Sequence, residues 1–340
     1  MQNKKEILTI CILTFNRSNY LSKILTDFNK IKDKKHIKVL IHDNNSSDQT
    51  KKIVKKFKDK LLNKLTYYNT NKFQGFKSNY LNCFKLARTK FIWVIGDDER
   101  INYKNIYFLV KFLQKKDKSI GGILLNSNYF NKDTSINYKR EKLSQNARKF
   151  EITRDFNNIG NISSLIFNLS QIKKKKFISK CSREIKEKKL LNYGDYPHIY
   201  LFRYLYNLNK FEWYKLLSSI VFLRKGNARE NDGTTIDPAT SRYLIRRLNN
   251  DLNDYINNLI RIKKLNKEQI NKTINLIFNK NFRSWIIQNK IFFSEILINN
   301  KLRNKLISNL SLINKTQFFI YQRINSNFLR ILINIKNRLK

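Results

Sequence analysis

Between residues 6 and 126 the hydrophobic pattern switches repeatedly between two periods, and this alternation constrains the fold more than any other feature. "EILTICIL" (6–13) is a short, β-branched, nearly all-apolar run, the pattern of a strand covered on both faces. "SNYLSKILTDFNKI" (18–31) then sets Leu21, Ile24, Leu25 and Phe28 at helical spacing, with Ser18 as the N-cap. Strand-like "IKVLIHD" (37–43), "KLTYYNT" (64–70), "KFIWVIG" (90–96) and "IGGILLN" (120–126) are interleaved with helical segments. Those segments are "QTKKIVKKFKDKL", which Asp48 can cap, "SNYLNCFKLAR" (78–88) and "NIYFLVKFLQ" (105–114). Such a rhythm predicts an α/β fold, a Rossmann-like and mostly parallel sheet flanked by helices.

Beyond residue 126 the pattern weakens. Residues 127–158 are polar, "ISSLIFN" (162–168) restores strand character, and "NYGDYPHIYLFRYLYNL" places Pro197 in the first turn of an apolar helix. "WYKLLSSIVFLRK" (213–225) predicts a strand or a pair of strands, and "GNARENDGTTIDP" (226–238) a long loop. From 239 to 340 the spacing is helical, with no Gly or Pro after Pro238. The expected organisation is a catalytic domain over 1–238, with halves 1–126 and 127–238, followed by a basic helical C-terminal appendage over 239–340.

Charge narrows the partners. A formal net charge of +44 calls for something negative: phosphate-bearing substrates, anionic lipid head groups or nucleic acid. Solvated lysine on an ordinary surface is the plain alternative. A hydrophobic content of 41% excludes intrinsic disorder. Cys11, Cys83 and Cys181 are odd in number and widely separated, which predicts no disulfide framework or zinc site. The N-terminus has a short apolar stretch and no small-residue cleavage site, so no signal peptide is expected. No long uncharged apolar run predicts a membrane-spanning helix. The expected location is cytoplasmic, or peripheral on an inner membrane.

Amid this positive charge, "FIWVIGDDER" (91–100) gathers Asp97, Asp98 and Glu99 directly behind an apolar strand. Ligands of open parallel sheets bind beyond the carboxyl ends of the strands. Asp43 ends the second strand there, and Asn71 follows the third. Clustered carboxylates suit Mg²⁺ or Mn²⁺ shared with substrate phosphates; a surface turn capping the next helix is the plain alternative.

Taken together, "LTICILTFNRSNYLSKIL", "HDNNSSDQT" and "GFKSNYLNCFKLARTKFIWVIGDDE" resemble the nucleotide-sugar half of family 2 glycosyltransferases with the GT-A fold. Thr14, Phe15, Asn16 and Arg17 match the family's P-T-Y-N-R, with Leu13 in place of the proline. Asp43, Ser46 or Ser47, Asp48 and Thr50 match D-x-x-S-x-D-x-T, and Asn71, Asn79 and Ala87 fit the following segment. Gly96 falls where the first acidic residue of the D-x-D-D motif would stand, leaving Asp98 as the metal ligand; a shift by one makes Asp97 and Glu99 the pair. The resemblance implies nucleotide-sugar contacts from Thr14, Phe15, Asn16, Arg17, Asp43, Asn71, Asn79 and Asp97, and a Mg²⁺ or Mn²⁺ ion at Asp98 and Glu99. For Thr14 and Phe15, packing at a strand end explains the residue types equally well.

Inverting transfer needs a carboxylate to take the acceptor's proton and a cation for the leaving diphosphate. The resemblance implies that Asp195, 97 residues beyond Asp98 at the start of a helix, is the base, with Gly194 where a Glu often stands and His198 as the alternative base. A simple N-cap role for Asp195 stays open. Arg224, Lys225 and Arg229 would sit in a loop that folds over the diphosphate, or in an exposed basic loop. A looser likeness over residues 160 to 225 points to abequosyltransferase-like enzymes of surface polysaccharide assembly, and the missing QxxRW signature implies one transfer per encounter. The implied function is an inverting glycosyltransferase acting on a lipopolysaccharide, O-antigen or capsule acceptor.

Two alternatives stand beside it. A basic nucleic-acid-binding protein would use the charge and aromatics, but the usual binding signatures are missing and a bare acidic cluster repels phosphate. Nucleic acid is therefore not an expected partner. A sugar-phosphate nucleotidyltransferase would carry a Gly-rich loop where "TFNRSNYL" has no glycine. In the last helix Ile320, Ile324, Phe328, Ile331, Ile335 and Leu339 share a face beside Arg323, Arg330, Lys336 and Arg338, a pattern for core packing or for an anionic membrane surface.

Overall fold

The computed structural model describes residues 6–61, 64–116, 120–130, 136, 138, 147–172, 176–180, 183, 197–208, 210–224, 259–273 and 276. Two compact units divide the chain. The larger comprises Met1–Glu151, Asn158–Leu191 and Tyr196–Thr235; the smaller comprises Ile152–Asn157, Asn192–Asp195 and Ile236–Lys340.

A nine-stranded sheet forms the larger unit. Its strands are β1 (Leu8–Thr14), β2 (Ile37–Asp43), β3 (Leu65–Asn69), β4 (Phe91–Gly96), β5 (Arg100–Ile101), β6 (Ile120–Phe130), β7 (Ala147–Lys149), β8 (Leu165–Asn168) and β9 (Glu212–Arg224). They run in the order β3-β2-β1-β4-β8-β6-β9-β5, with β7 paired to β9. The block β3-β2-β1-β4 is parallel, as the alternating pattern requires. Beyond β4 the sheet is mixed, because β8 enters antiparallel between β4 and β6. The 213–225 pattern resolves into a single long strand, β9, which pairs parallel with β6 across several register shifts.

Four helices link the first strands: α1 (Ser18–Asn29), α2 (Thr50–Lys58), α3 (Gly75–Leu86) and α4 (Ile106–Lys116). Alternate residues of each strand point to opposite faces. Leu8, Ile10 and Ile12 of β1 join the core with Leu21, Ile24, Leu25 and Phe28 of α1, Val54 and Phe57 of α2 and Leu109 and Leu113 of α4. The opposite face of β1 carries Thr9, bonded to Thr89, and Cys11. Cys11 is joined to Cys83 of α3 in a disulfide, with Cα atoms 6.2 Å apart. This corrects the expectation of no disulfide: the residues stand 72 apart in sequence, but α3 packs its buried face on β1. A helix covers Pro197–Asn207, and its Phe202 meets Trp213 of β9 edge-on.

Of the smaller unit, residues 259–273 are described within the helical appendage expected over 239–340. There Leu259 and Ile262 are buried, Asn266 caps a short helix through the Gln269 amide, and burial pushes the Lys264 ammonium down to about 8. The apolar face read between Ile320 and Leu339 lies outside the described residues. Among those described, no helix is long and apolar enough to cross a membrane.

Candidate active site at the carboxyl ends of the parallel strands

Because β1, β2 and β4 are parallel neighbours, their carboxyl ends emerge side by side. Leu13 is level with both His42 and Gly96, so Thr14, Asp43 and the turn after Gly96 share one edge. The Thr14 hydroxyl donates to Asp97 Oδ2 at 2.7 Å. Arg17 places Nη1 between the next two oxygens, 3.4 Å from Asp97 Oδ1 and 3.3 Å from Asp98 Oδ2. Asp97 and Asp98 are 3% and 5% exposed. Burial, with the Asp98 charge beside it, pushes the Asp97 carboxyl above the usual range, although Arg17 and Thr14 pull it back. The Asp98 side chain folds back over the start of the turn: a Cβ at Gly96 would stand 2.8 Å from Asp98 Oδ1, so a larger residue there would push that carboxylate aside.

Glu99 continues the turn into a different environment. Its Oε1 lies 3.3 Å from the Ser163 hydroxyl, and Oε2 is buried with no hydrogen-bond partner among the described residues. Burial and the adjacent Asp98 push its pKa well above the usual range, which favours the neutral acid. Arg224 ends β9 and lays its guanidinium 4.4 Å from the centroid of the Tyr20 ring. Among the described residues no three His, Cys, Asp or Glu side chains converge as a metal cage.

Asp43 anchors the second part of the edge. Its Oδ1 accepts from the Ser46 amide at 3.0 Å and the Ser46 hydroxyl at 2.6 Å, while Oδ2 accepts from Tyr67 of β3 at 2.6 Å. Burial and this bond push the Tyr67 phenol up. The β1–α1 and β2–α2 loops are laced together. Asn16 donates its amide to Ser46 Oγ and accepts from the Ser47 amide, and Asn16 (φ 51) and Asn45 (φ 70) take the left-handed turns that asparagine tolerates.

Asp48 bridges the same loops, with Oδ2 accepting from the Ser18 amide and Oδ1 from Thr50. Burial opposes its charge, yet these bonds hold the carboxyl below its ordinary pKa. Ser18 is thus the first residue of α1 rather than its capping side chain; the partner its amide needs comes from the next loop.

The remaining predicted residues separate into three places. Phe15 meets the exposed Phe73 at 4.8 Å between ring centroids, and Asn71 is exposed nearby in the same loop after β3. Asn79 is buried on α3, with its Oδ1 lacking a hydrogen-bond partner among the described residues, and burial pulls the pKa of His42 on β2 down. His198 is 2% exposed, packs its ring on Tyr80, and sets Nε2 3.2 Å from the Gly160 carbonyl. Its pKa is pushed down to about 4 by burial. Asp195, Gly194, Lys225 and Arg229 lie outside the described residues.

Three participants were missed by sequence reasoning. Ser163 holds the acidic turn through Glu99 and lies 3.4 Å from the Gly96 amide; Tyr67 holds Asp43; Asp27 holds Arg100, the residue after the turn. An Asp on the apolar face of α1 was the one available signal, because a buried charge needs a partner.

Solved structures share this fold at low sequence identity. TarS of S. aureus in complex with UDP-GlcNAc superposes with a TM-score of 0.58 at 13% identity, over 89% of this chain and 79% of that one. A mannosyltransferase of Pyrobaculum calidifontis in complex with GDP-Man and Mn²⁺ gives 0.51 at 11% identity, over 93% and 84%. The large mixed sheet flanked by helices, similar in fold to these structures, defines the GT-A class of fold.

Within that class the chain belongs to glycosyl transferase family 2, whose profile matches residues 9–179, just over half of its 340 residues. Among curated proteins it is similar to an uncharacterised glycosyltransferase of Mycoplasma genitalium, 32% identical over 32% of this chain and 38% of that protein. It is also similar to the abequosyltransferase RfbV of Salmonella typhimurium, 25% identical over 32% of this chain and 33% of the relative. The matches thus span 38% and 33% of the lengths of these two curated relatives.

Proposed function

We propose that the protein is an inverting, metal-dependent glycosyltransferase that moves a sugar from a nucleotide-sugar donor to a bacterial surface glycan such as lipopolysaccharide, O-antigen or capsule. The observation that carries this reading is the pair Asp97 and Asp98, which turn one oxygen each toward the same Arg17 nitrogen. Two adjacent carboxylates facing one cation position fit Mg²⁺ or Mn²⁺, which keeps waters and takes its remaining oxygens from substrate phosphates. When bound, such an ion supplies charge neutralisation for the leaving diphosphate.

The chain's own groups divide the remaining work. Asp43, oriented by Ser46 and Tyr67, offers a fixed acceptor for the nucleobase, beside the Phe15–Phe73 pair. Thr14 orients Asp97, and Glu99 with Ser163 props the turn from behind. Asp195, two residues before Pro197 in sequence, takes the acceptor's proton; buried and neutral, His198 secures the Pro197–Asn207 helix to the Gly160 carbonyl. Arg224 and Arg229 supply positive charge for the donor diphosphate. The acceptor class rests on the similarity to an abequosyltransferase, and the basic appendage supports attachment to an anionic membrane surface.

A panel of UDP-, GDP- and dTDP-sugars tests the reading, assayed for hydrolysis without acceptor. One donor should be hydrolysed with Mn²⁺ or Mg²⁺ and spared with EDTA. Turnover indifferent to EDTA would remove the metal from the mechanism. No turnover of any donor, with tight binding to random-sequence DNA instead, would favour the nucleic-acid alternative.

A further inference from the structure

Strand β6 is covered along its first part and open along its last. Ile123 and Leu125 point into the core, so Gly122, Leu124, Asn126 and Asn128 line the opposite face. Trp213 lies over Gly122, where a Cβ would stand 2.6 Å from its ring, and Phe202 of the Pro197–Asn207 helix packs on that indole. Leu124 is buried as well. Beyond it Asn126 is half-buried and Asn128 exposed, and on neighbouring β9 Leu217 keeps 46% exposure.

This open strip is held in place. The Asn126 side-chain amide donates to the Leu217 carbonyl at 2.8 Å, and the Asn128 amide to Ser219 Oγ at 2.6 Å. The Ser219 carbonyl accepts in turn from Asn102 and Asn105, just beyond the acidic turn, at 3.2 Å each. Each strip asparagine thus spends one N–H on β9, while its Oδ1 accepts no hydrogen bond among the described residues.

Register sets the strip beside the acidic turn. Trp93 of β4 and Ile123 of β6 both pair with Ile166 of β8, and both strands run antiparallel to it. β4 and β6 therefore run in the same direction, and three residues further on Asn126 comes level with Gly96. Two strand spacings separate them, about 10 Å. The strip also carries no charge: β6 has no Lys, Arg, Asp or Glu, nor has β9 from Leu216 to Leu223, in a chain of net charge +44. Lys215, the residue before that run, is buried with its ammonium 3.2 Å from the Leu125 carbonyl. A phosphate or carboxylate finds no exposed counter-ion along these two stretches. Fixed amide oxygens beside an exposed leucine instead suit hydroxyl donors and an apolar C–H face, the chemistry of an uncharged sugar ring.

We propose that Asn126, Asn128 and Leu217 form an acceptor subsite that binds an uncharged sugar residue, its hydroxyls on the two asparagine side chains and its ring face on Leu217. Because the amides are held before the ligand arrives, little of the binding energy goes into ordering them. This inference rests on the glycosyltransferase reading above and names what the acceptor presents.

Saturation-transfer NMR of the full chain tests it, with the methyl glycosides of glucose, galactose, mannose and rhamnose and with methyl glucuronide. Wild type should bind at least one neutral glycoside, and methyl glucuronide more weakly. Asn126→Leu, Asn128→Leu and Leu217→Asp should each weaken that binding about 5-fold, the scale of one hydrogen bond. Tyr107→Ser, exposed on α4, should bind as wild type does. Thermal unfolding checks the variants, and Leu217→Asp, at an exposed position, is read if an asparagine variant is unfolded. A preference for methyl glucuronide overturns the assignment to an uncharged sugar. If wild type hydrolyses a nucleotide sugar but the variants bind glycoside as tightly as it does, or if it binds no neutral glycoside, the subsite is overturned and the transferase reading stands. If wild type neither hydrolyses a donor nor binds a glycoside, both fall.

Discussion

Arg100 grips Asp27 with two parallel hydrogen bonds of 2.6 Å, joining the residue after the acidic turn to helix α1, 73 positions earlier. Asp27 is 0% exposed and also accepts from the Ile101 amide at 3.3 Å and the Tyr138 hydroxyl at 3.2 Å. One carboxylate thus closes the path from the loop that holds Arg17 to the turn that holds Asp98. Replacing Asp27 with Ala strands a half-buried guanidinium, and removing one partner of a buried pair typically costs about 3 kcal/mol or more. Urea unfolding should show that loss for Asp27→Ala, and pairing it with Arg100→Met should recover much of it. A variant as stable as wild type would mean the pair contributes nothing to the fold.

Asp195→Asn should leave donor affinity near normal and lower the transfer rate about 100-fold or more, the scale for losing a general base. Steady-state kinetics with donor hydrolysis as the readout separates the two effects. Near-normal turnover would reduce Asp195 to a helix cap.

Tyr67→Phe removes one of the hydrogen bonds to Asp43 and leaves the other two, both from Ser46, in place. Loss of one bond to a charged group costs about 1.5–3 kcal/mol when its partner stays buried. Calorimetry should show weaker nucleoside diphosphate binding with the metal-only affinity unchanged. If both affinities fell together, Tyr67 would be holding the whole edge rather than the base position.

His198 makes stability depend on pH in a known direction. Burial pushes its folded pKa down to about 4, below the ordinary value of about 6.5, so the unfolded chain binds more protons between these limits. Stability is therefore undiminished by this group above about pH 6.5 and falls as pH drops toward about 4, by at most about 1.4 kcal/mol per pH unit. His198→Gln should flatten the stability profile in that window relative to wild type. Parallel profiles for the two proteins would show that the imidazole is not held neutral.

Local pattern settled the order of the elements. An all-apolar β-branched run such as residues 6–13 and a spacing such as Leu21, Ile24, Leu25 and Phe28 each announce their geometry within one turn or strand, without knowledge of any neighbour. The parallel order of β1, β2 and β4 followed from the short helical crossovers, and with it the edge where Thr14, Asp43 and Asp97 had to emerge.

What the tertiary structure alone decided is which groups meet. Periodicity says that a face is apolar, not what covers it, so neither the insertion of antiparallel β8 beside β4 nor the pairing of Cys11 with Cys83 was legible. The acidic turn shows the same division. Three consecutive carboxylates are indistinguishable in sequence, yet Thr14 orients the first, Arg17 faces the first two, and Ser163 turns the third into a buried pocket. Charge and hydrogen bonding act through space over a few ångströms, and those partners come from positions 64 to 83 residues away along the chain.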